Sequence, residues 1–392
     1  MHASARRAPD VVVVGGGVIG LAIAWQTSNR GLDVTVVDPA PGRGSSYAAA
    51  GMLTPVTELT YGEEALLRLN LASAARYPSF VAELEEAAGR PAGYREHGTL
   101  AVAFDNDDRA VLDDLRAFQA SLGLQAQALT GRQCRRLEPL LAPSVRGGLL
   151  ARDDRSIDNR MLMAALLAAL GRADVPVLGQ RVAELMLDGG RAAGVRLADG
   201  TAVPAAQVVL SAGCWSGELT GLPPGVAPPV RPVKGQILRL RVPPAVAPFL
   251  TRTVRATVRG SGVYLVPRAG GELVVGSTVE EMGFDTTVTA GGVYELLRDA
   301  HEIIPAVTEL ELVETLAGLR PGSPDNAPIL GPAALPGLVL ATGHFRNGIL
   351  LTPVTADAVA ELLTTGETPA VIAPFEPGRF TPGHRPPEEV PA

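Results

Sequence analysis

Gly15, Gly17 and Gly20 stand in a G-x-G-x-x-G spacing directly after four valines, Val11 to Val14, and Asp38 ends the next apolar run, "DVTVVD". Those residue types at those intervals suit a bound dinucleotide. A glycine at 15 permits a tight turn out of a strand, a glycine at 17 keeps a Cβ away from a pyrophosphate, and a glycine at 20 lets the next helix lie close to the strand. Bare N–H groups at the helix start then face the phosphates. Asp38 can accept both hydroxyls of a ribose and would repel a 2′-phosphate. The spacing alone does not separate NAD from FAD. A single fingerprint of this kind weighs against a reductase that needs a second nicotinamide module.

Two further stretches carry chemistry. "GRGSSYAAAGML", residues 42–53, is rich in small and hydroxyl side chains and suits backbone running against a large planar ligand. Near the other end, "GHFRNGILLTP" sets His344 and Arg346 in a glycine-bounded turn before an apolar run. Its N–H groups and a cation there could stabilise a reduced, anionic ring, as a flavin requires.

The elements that must position these residues are readable from periodicity. Val11 to Val14 has no polar alternation, as in a strand covered on both faces. "VIGLAIAWQTSNRG" is helical with Gly31 as its stop, and "DVTVVD" completes a βαβ unit. Helical patterns follow at about 62–89, in "DDRAVLDDLRAFQASLG" and in "RMLMAALLAALGR", the last capped by Asp158 or Asn159. Strand patterns occupy "HGTLAVAF", the two runs around Asp199-Gly200 and "VVLSAG". After the Pro-rich "PPGVAPPVRPV", the runs "KGQILRLRV", "GVYLVPR" and "ELVVGST" read as antiparallel strands with the helix "AGGVYELLRDAHEIIP" packed on them. The chain then returns through "LVLATG" and the helical "GILLTPVTADAVAELLTTG".

The implied fold class is α/β: a Rossmann-like dinucleotide domain with a second α+β domain built on an antiparallel sheet. The first takes residues 8–88, 145–224 and 315–370, the second 89–144 and 225–314, and 371–392 reads as a Pro-rich surface tail.

Composition excludes some classes. A net charge of −7 with no long basic block argues against nucleic acid as a partner. Cys134 and Cys214 lie far apart with no metal-ligand spacing, which suits a reducing cytoplasm. Arg6-Arg7 before the uncharged run to Asn29 superficially suggests a twin-arginine signal or a membrane span. The four glycines inside that run favour strand, turn and helix instead.

Taken in order, "VVVVGGGVIGLAIA" with Asp38, "SSYAAAGML", "VVLSAGCWSGEL", "RPVKGQ", "VYLVPR", "ELVVGST", "AGLRPGSPDNAPILG" and "GHFRNGILL" resemble the FAD-dependent amine oxidase family of glycine, sarcosine and D-amino-acid oxidases. The resemblance covers nearly the whole chain and is nearest to the glycine oxidase branch. It implies FAD as the hydride acceptor, held noncovalently, because neither cysteine lies beside the C-terminal flavin motif. It implies cofactor contacts from Gly15, Gly17, Val18, Ile19, Gly20 and Asp38, and from Ser45, Ser46, Ala50, Gly51 and Met52 in the small-residue loop. Val182, Ala212, Gly213, Trp215 and Arg320 join them, with His344, Arg346, Asn347, Gly348, Ile349 and Leu350 from the last motif.

The resemblance also places a substrate over the flavin ring. Arg320 would pair with an amino-acid carboxylate, Tyr264 would donate to the same group, Arg346 would lie near substrate or flavin, and Met52 would line the cavity. A guanidinium fork matches a carboxylate, and a phenol adds a neutral donor. Lys234 is expected to be structural. Gly262 and Val279 stand where that branch carries larger or more polar residues, so the pocket is expected to be roomier.

The implied reaction is oxidation of glycine or another small amino acid to an imino acid, then a 2-oxo acid and ammonia, with molecular oxygen giving hydrogen peroxide. For glycine, the imine would serve the thiazole of thiamine. A D-amino-acid or sarcosine oxidase or dehydrogenase is the alternative. Homo-oligomers occur in the family, and no interface is legible in this chain.

Overall fold

In the computed structural model, which describes residues 8–381, Val11–Val14 is the strand over which two cores close. It pairs in parallel with Val34–Val37 on one side and with Gln207–Leu210 on the other. The six-stranded sheet runs in the order 329–332, 338–342, 207–210, 11–14, 34–37, 177–178, and only Ile329–Pro332 is antiparallel to its neighbour. Because the chain leaves Val14 toward one flank and returns on the other, a crevice opens at the carboxyl end of this strand.

Helices Val18–Asn29, Glu64–Ala88, Asn159–Arg172 and Thr352–Thr365 cover one face, where Leu21, Leu84, Leu166 and Val359 share a core with Val11 and Val13. Against the other face lies a three-stranded sheet, 182–188, 191–197 and 202–204, whose Leu185 and Val195 pack on Val12 and Val14. Successive valines thus serve opposite cores, which explains a strand with no polar position.

The second domain is built on an eight-stranded sheet in the order 311–322, 231–241, 272–276, 261–267, 253–258, 99–103, 147–151, 127–130. It is antiparallel except where Thr253–Val258 runs parallel to Thr99–Ala103. Helix Ala290–Ile303 covers one face, setting Leu296, Ala300 and Ile303 on Leu238, Leu265 and Val275. Part of the opposite face looks toward the crevice.

Some sequence expectations need correction. The boundaries at 145 and 315 sit beside and within members of the large sheet, Gly147–Ala151 and Glu311–Gly322. Both strands are held by partners distant in sequence, so local composition does not mark them. The tail expected from 371 is in part packed: Ile372 and Phe375 are buried in the helical core, and Arg379 pairs with Asp325 at 2.8 Å. Residues 382–392 and the Arg6-Arg7 pair lie outside the described residues. The last helix begins at Thr352, after a short turn at Phe345–Asn347, rather than at the glycine of "NGILL". Among the described residues, no helix is long and apolar enough to cross a membrane, and no His/Cys/Asp/Glu group could hold a metal ion.

Candidate active site

A cavity of about 840 Å³ runs from the end of Val11–Val14 to the inner face of the large sheet, a size typical of cofactor and ligand sites. At the first end Gly15 adopts φ +110°, where a side chain would be strained and a Cβ would collide with the Ser211 carbonyl. Gly20 does not line the cavity. A Cβ there would collide with the Gly15 carbonyl, so this glycine sets the approach of helix to turn. Gly17, Val18 and Ile19 line the wall at the helix N-terminus, where the Val18 N–H donates to Ser46 Oγ at 3.0 Å. Asp38 also lines the wall and fixes the turn, its two oxygens accepting from the N–H groups of Gly16 and Ala40 at 2.7 Å each.

The small-residue loop is clamped from behind. Asn159 donates through Nδ2 to the carbonyls of Ser46 and Tyr47, both at 2.8 Å, and its Oδ1 accepts from Arg268 and Arg239. Arg268, buried, donates to the carbonyls of Ala50 at 2.6 Å and Ile157 at 3.0 Å, while burial pushes its guanidinium down to about 10. Ser45 donates to the Leu319 carbonyl. Ser45, Ser46, Ala50, Gly51 and Met52 thereby form a fixed cavity wall. Asn159, Arg239 and Arg268 were not identified from sequence as site supports, because only tertiary contact brings them to this loop.

Val182, Ala212, Gly213 and Trp215 line the same end as the fingerprint, with Trp215 partly exposed and its ring 5.9 Å from that of Phe284. Of the C-terminal motif, His344, Arg346, Gly348 and Ile349 line the cavity, whereas Asn347 and Leu350 are buried behind it. The His344 Nε2 lies 3.1 Å from Thr355 Oγ1, and burial pushes the imidazole down to about 3. It is neutral at working pH and supplies no charge. Arg346 donates to Thr60 Oγ1 at 3.0 Å and forms an ion pair with Glu63. The free cation expected at this turn is therefore largely offset by Glu63, a partner too distant in sequence to be read from the motif.

At the far end, Tyr264 and Arg320 bracket the Gly276-Ser277 step. Tyr264 lies opposite Gly276 in register, and a Cβ on Gly276 would lie 2.5 Å from the phenol oxygen. Arg320 donates through Nη2 to Ser277 Oγ at 2.6 Å and through Nη1 to the carbonyls of Lys234 and Thr278 at 3.3 Å. Gly235 leaves the space that its guanidinium fills. Met52, Gly262 and Val279 also line this chamber, and a Cβ on Gly262 would meet nothing within 4 Å. Two lining residues not read from sequence are Arg255 and Glu58, paired at 2.5 Å. Lys234 is buried and outside the lining. Its Nζ lies 3.4 Å from Glu280 and 3.2 Å from Asp285, tying down the segment beyond Ser277. Cys134 and Cys214 are buried free thiols pushed up to about 11 and about 12 by burial, and neither lines the cavity.

The wall fits an FAD: glycines where phosphates need backbone, an acid where a ribose ends, and a clamped small-residue surface leading to the chamber. Such a dinucleotide cradle at a topological switch point, opening into a chamber walled by a second sheet, defines a two-domain flavoprotein oxidoreductase. The chain belongs to the FAD dependent oxidoreductase family, DAO, which matches residues 10–362. The glycine oxidase of Geobacillus kaustophilus is 34% identical over 369 residues, covering 93% of this chain and 96% of that protein. A crystal structure of glycine oxidase from the same organism superposes with a TM-score of 0.87 over 94% of this chain and 98% of that one. The bifunctional protein ThiO/ThiG of a Nostoc species is 35% identical over 372 residues, 94% of this chain; the chain spans only 55% of that relative's length.

Proposed function

We propose that this chain is an FAD-dependent oxidase of small amino acids, with glycine as the reference substrate. The observation that carries this reading is the state of Arg320. Among the described residues it has no carboxylate partner, whereas Arg346 and Arg255, in the same cavity, are paired with Glu63 and Glu58. An arginine held by neutral acceptors at the cavity wall supports capture of a substrate carboxylate.

When bound, FAD supplies the two-electron acceptor that takes the Cα hydride and passes the electrons to oxygen as hydrogen peroxide. The chain's own residues orient the substrate. Three of the five N–H groups of Arg320 are engaged by the protein, leaving donors for two carboxylate oxygens. Tyr264, on the other side of Gly276-Ser277, adds a hydroxyl without a second charge to desolvate. No general base at Cα is required, because the lone pair of a neutral amine assists hydride departure. His344 is turned to Thr355 and has no part in that step.

The imino acid would hydrolyse to a 2-oxo acid and ammonia, and the imine of glycine would serve thiazole formation, a reading supported by the ThiO/ThiG relative. A larger D-amino acid or sarcosine is the second reading, favoured by the open space at Gly262. Two buried free thiols suit a reducing cytoplasm, and self-association into a homo-oligomer accords with the family. The test is to incubate the holoenzyme with glycine in air and assay peroxide, ammonia and glyoxylate. Stoichiometric formation supports the reading, and absence of all three with glycine, sarcosine and D-alanine defeats it.

A further inference from the structure

Arg255 shares the chamber with Arg320 but stands on a different strand and faces a different partner. It is directly opposite Tyr264 in the antiparallel pairing of 253–258 with 261–267, so the two side chains share a sheet face. Tyr264 in turn is opposite Gly276. With strands about 5 Å apart, the Arg255 strand lies roughly 10 Å from the step where Arg320 donates. Its Nη1 is 3.9 Å from Met52 Sδ and 2.5 Å from Glu58 Oε1. In register Tyr264 stands between these points, and the wall is open two residues along its strand at Gly262. Arg320, Arg255 and Glu58 all line the one cavity.

The pairing is held by buried groups. Asp154 accepts from the N–H groups of Val56 and Thr57 at 3.2 and 3.3 Å and from Thr57 Oγ1 at 2.6 Å. Buried Gln119 donates to the Val56 carbonyl at 2.9 Å. The backbone before Glu58 is therefore anchored from two directions, and the Glu58 side chain is only 13% exposed. Charge balance follows. Glu58 offsets Arg255 and Glu63 offsets Arg346, so one substrate carboxylate at Arg320 brings these named groups to neutrality.

We infer that the Arg255–Glu58 pair is a second substrate subsite, selective for a neutral polar group such as a carboxamide or hydroxyl, and that Glu58 excludes dicarboxylates. The pair offers both donors and an acceptor, matching an amide or alcohol. A second carboxylate would have to displace Glu58 or sit beside it uncompensated. The inference rests on the reading that Arg320 takes the first carboxylate.

The test uses non-oxidisable acids bound to the holoenzyme and followed by calorimetry and perturbation of the bound flavin spectrum. Acetate probes the Arg320 end alone. Succinamate and succinate add an amide or a second carboxylate at the far end. The wild type should bind succinamate at least about tenfold more tightly than succinate. Glu58→Gln should reverse that order by freeing Arg255, and Glu58→Gln with Arg255→Gln should abolish the reversal. Equal binding of the two acids by the wild type overturns the subsite even if the variants fail to fold, and an unchanged ratio in folded Glu58→Gln overturns it too. Acetate binding with an unchanged ratio sinks only the subsite. Failure of acetate to bind sinks the Arg320 reading on which it rests.

Discussion

Arg320→Met removes an arginine that lies beside Tyr264 and, among the described residues, has no carboxylate partner. With three N–H groups held by Lys234, Thr278 and Ser277, the fork retains two for substrate. At about 1.5–3 kcal/mol for each charge-assisted bond, their loss amounts to about 3–6 kcal/mol. At 1.4 kcal/mol per tenfold, that is a fall of roughly 10²–10⁴ in kcat/KM. Arg320→Lys keeps the charge and loses the fork, so it should fall between wild type and Arg320→Met. The assay is oxygen consumption with glycine, alongside acetate binding to the bound flavin and a thermal melt to establish folding. A folded Arg320→Met enzyme with kcat/KM and acetate affinity within about threefold of wild type would refute the assignment.

Other perturbations separate the cradle, the chamber and the scaffold. Gly235→Ala puts a Cβ against the guanidinium of Arg320, the far end of a long side chain that can shift, so thermal stability should stay near wild type while kcat/KM for glycine falls, and unchanged kinetics would show that Arg320 placement is unimportant. Gly20→Ala instead sets a Cβ against the Gly15 backbone, an overpacking that costs about 1–3 kcal/mol. It should lower the melting temperature and release FAD on gel filtration. The Asp154 carboxyl is pushed up to about 7, chiefly by desolvation. Its contribution to stability is present below the ordinary carboxylate range and lost as pH rises through about 7, a change of up to about 4 kcal/mol at 1.36 kcal/mol per pKa unit. Asp154→Asn should flatten that decline in denaturant melts between pH 4 and 8. His344 has the opposite sign: with its imidazole pushed down to about 3, its contribution is present above 6.5 and lost as pH falls.

The cradle was legible because its determinants are local. Four valines, three spaced glycines and a terminal acid occupy one short stretch, and Gly20 answers to the Gly15 backbone within the same βαβ unit, although the Ser211 carbonyl that crowds Gly15 comes from a distant strand. The chamber was only partly legible. Arg255 sits in "TVRATV", where an arginine in an alternating strand has the pattern of a solvated face, and the face proves to be the chamber wall because strand 253–258 lies beside 261–267. Likewise Glu63, which offsets Arg346, and Asn159, which holds the small-residue loop, act across sequence gaps that periodicity does not encode. The large sheet was missed at its margins for the same reason: Gly147–Ala151 is short and glycine-led, and its partners are Thr99–Ala103 and Gln127–Thr130. Ile372 and Phe375 show the converse, apolar residues in a short Pro-interrupted segment with no period that are nonetheless buried.

The most direct test of the flavin-oxidase account is the visible spectrum of the purified holoenzyme under anaerobic conditions before and after glycine, followed by air. Bleaching of the flavin bands by glycine with their prompt return in air is the predicted result. A spectrum unchanged by glycine, sarcosine and D-alanine alike would contradict amino-acid oxidation by this site, and bleaching that air does not reverse would contradict oxygen as the acceptor.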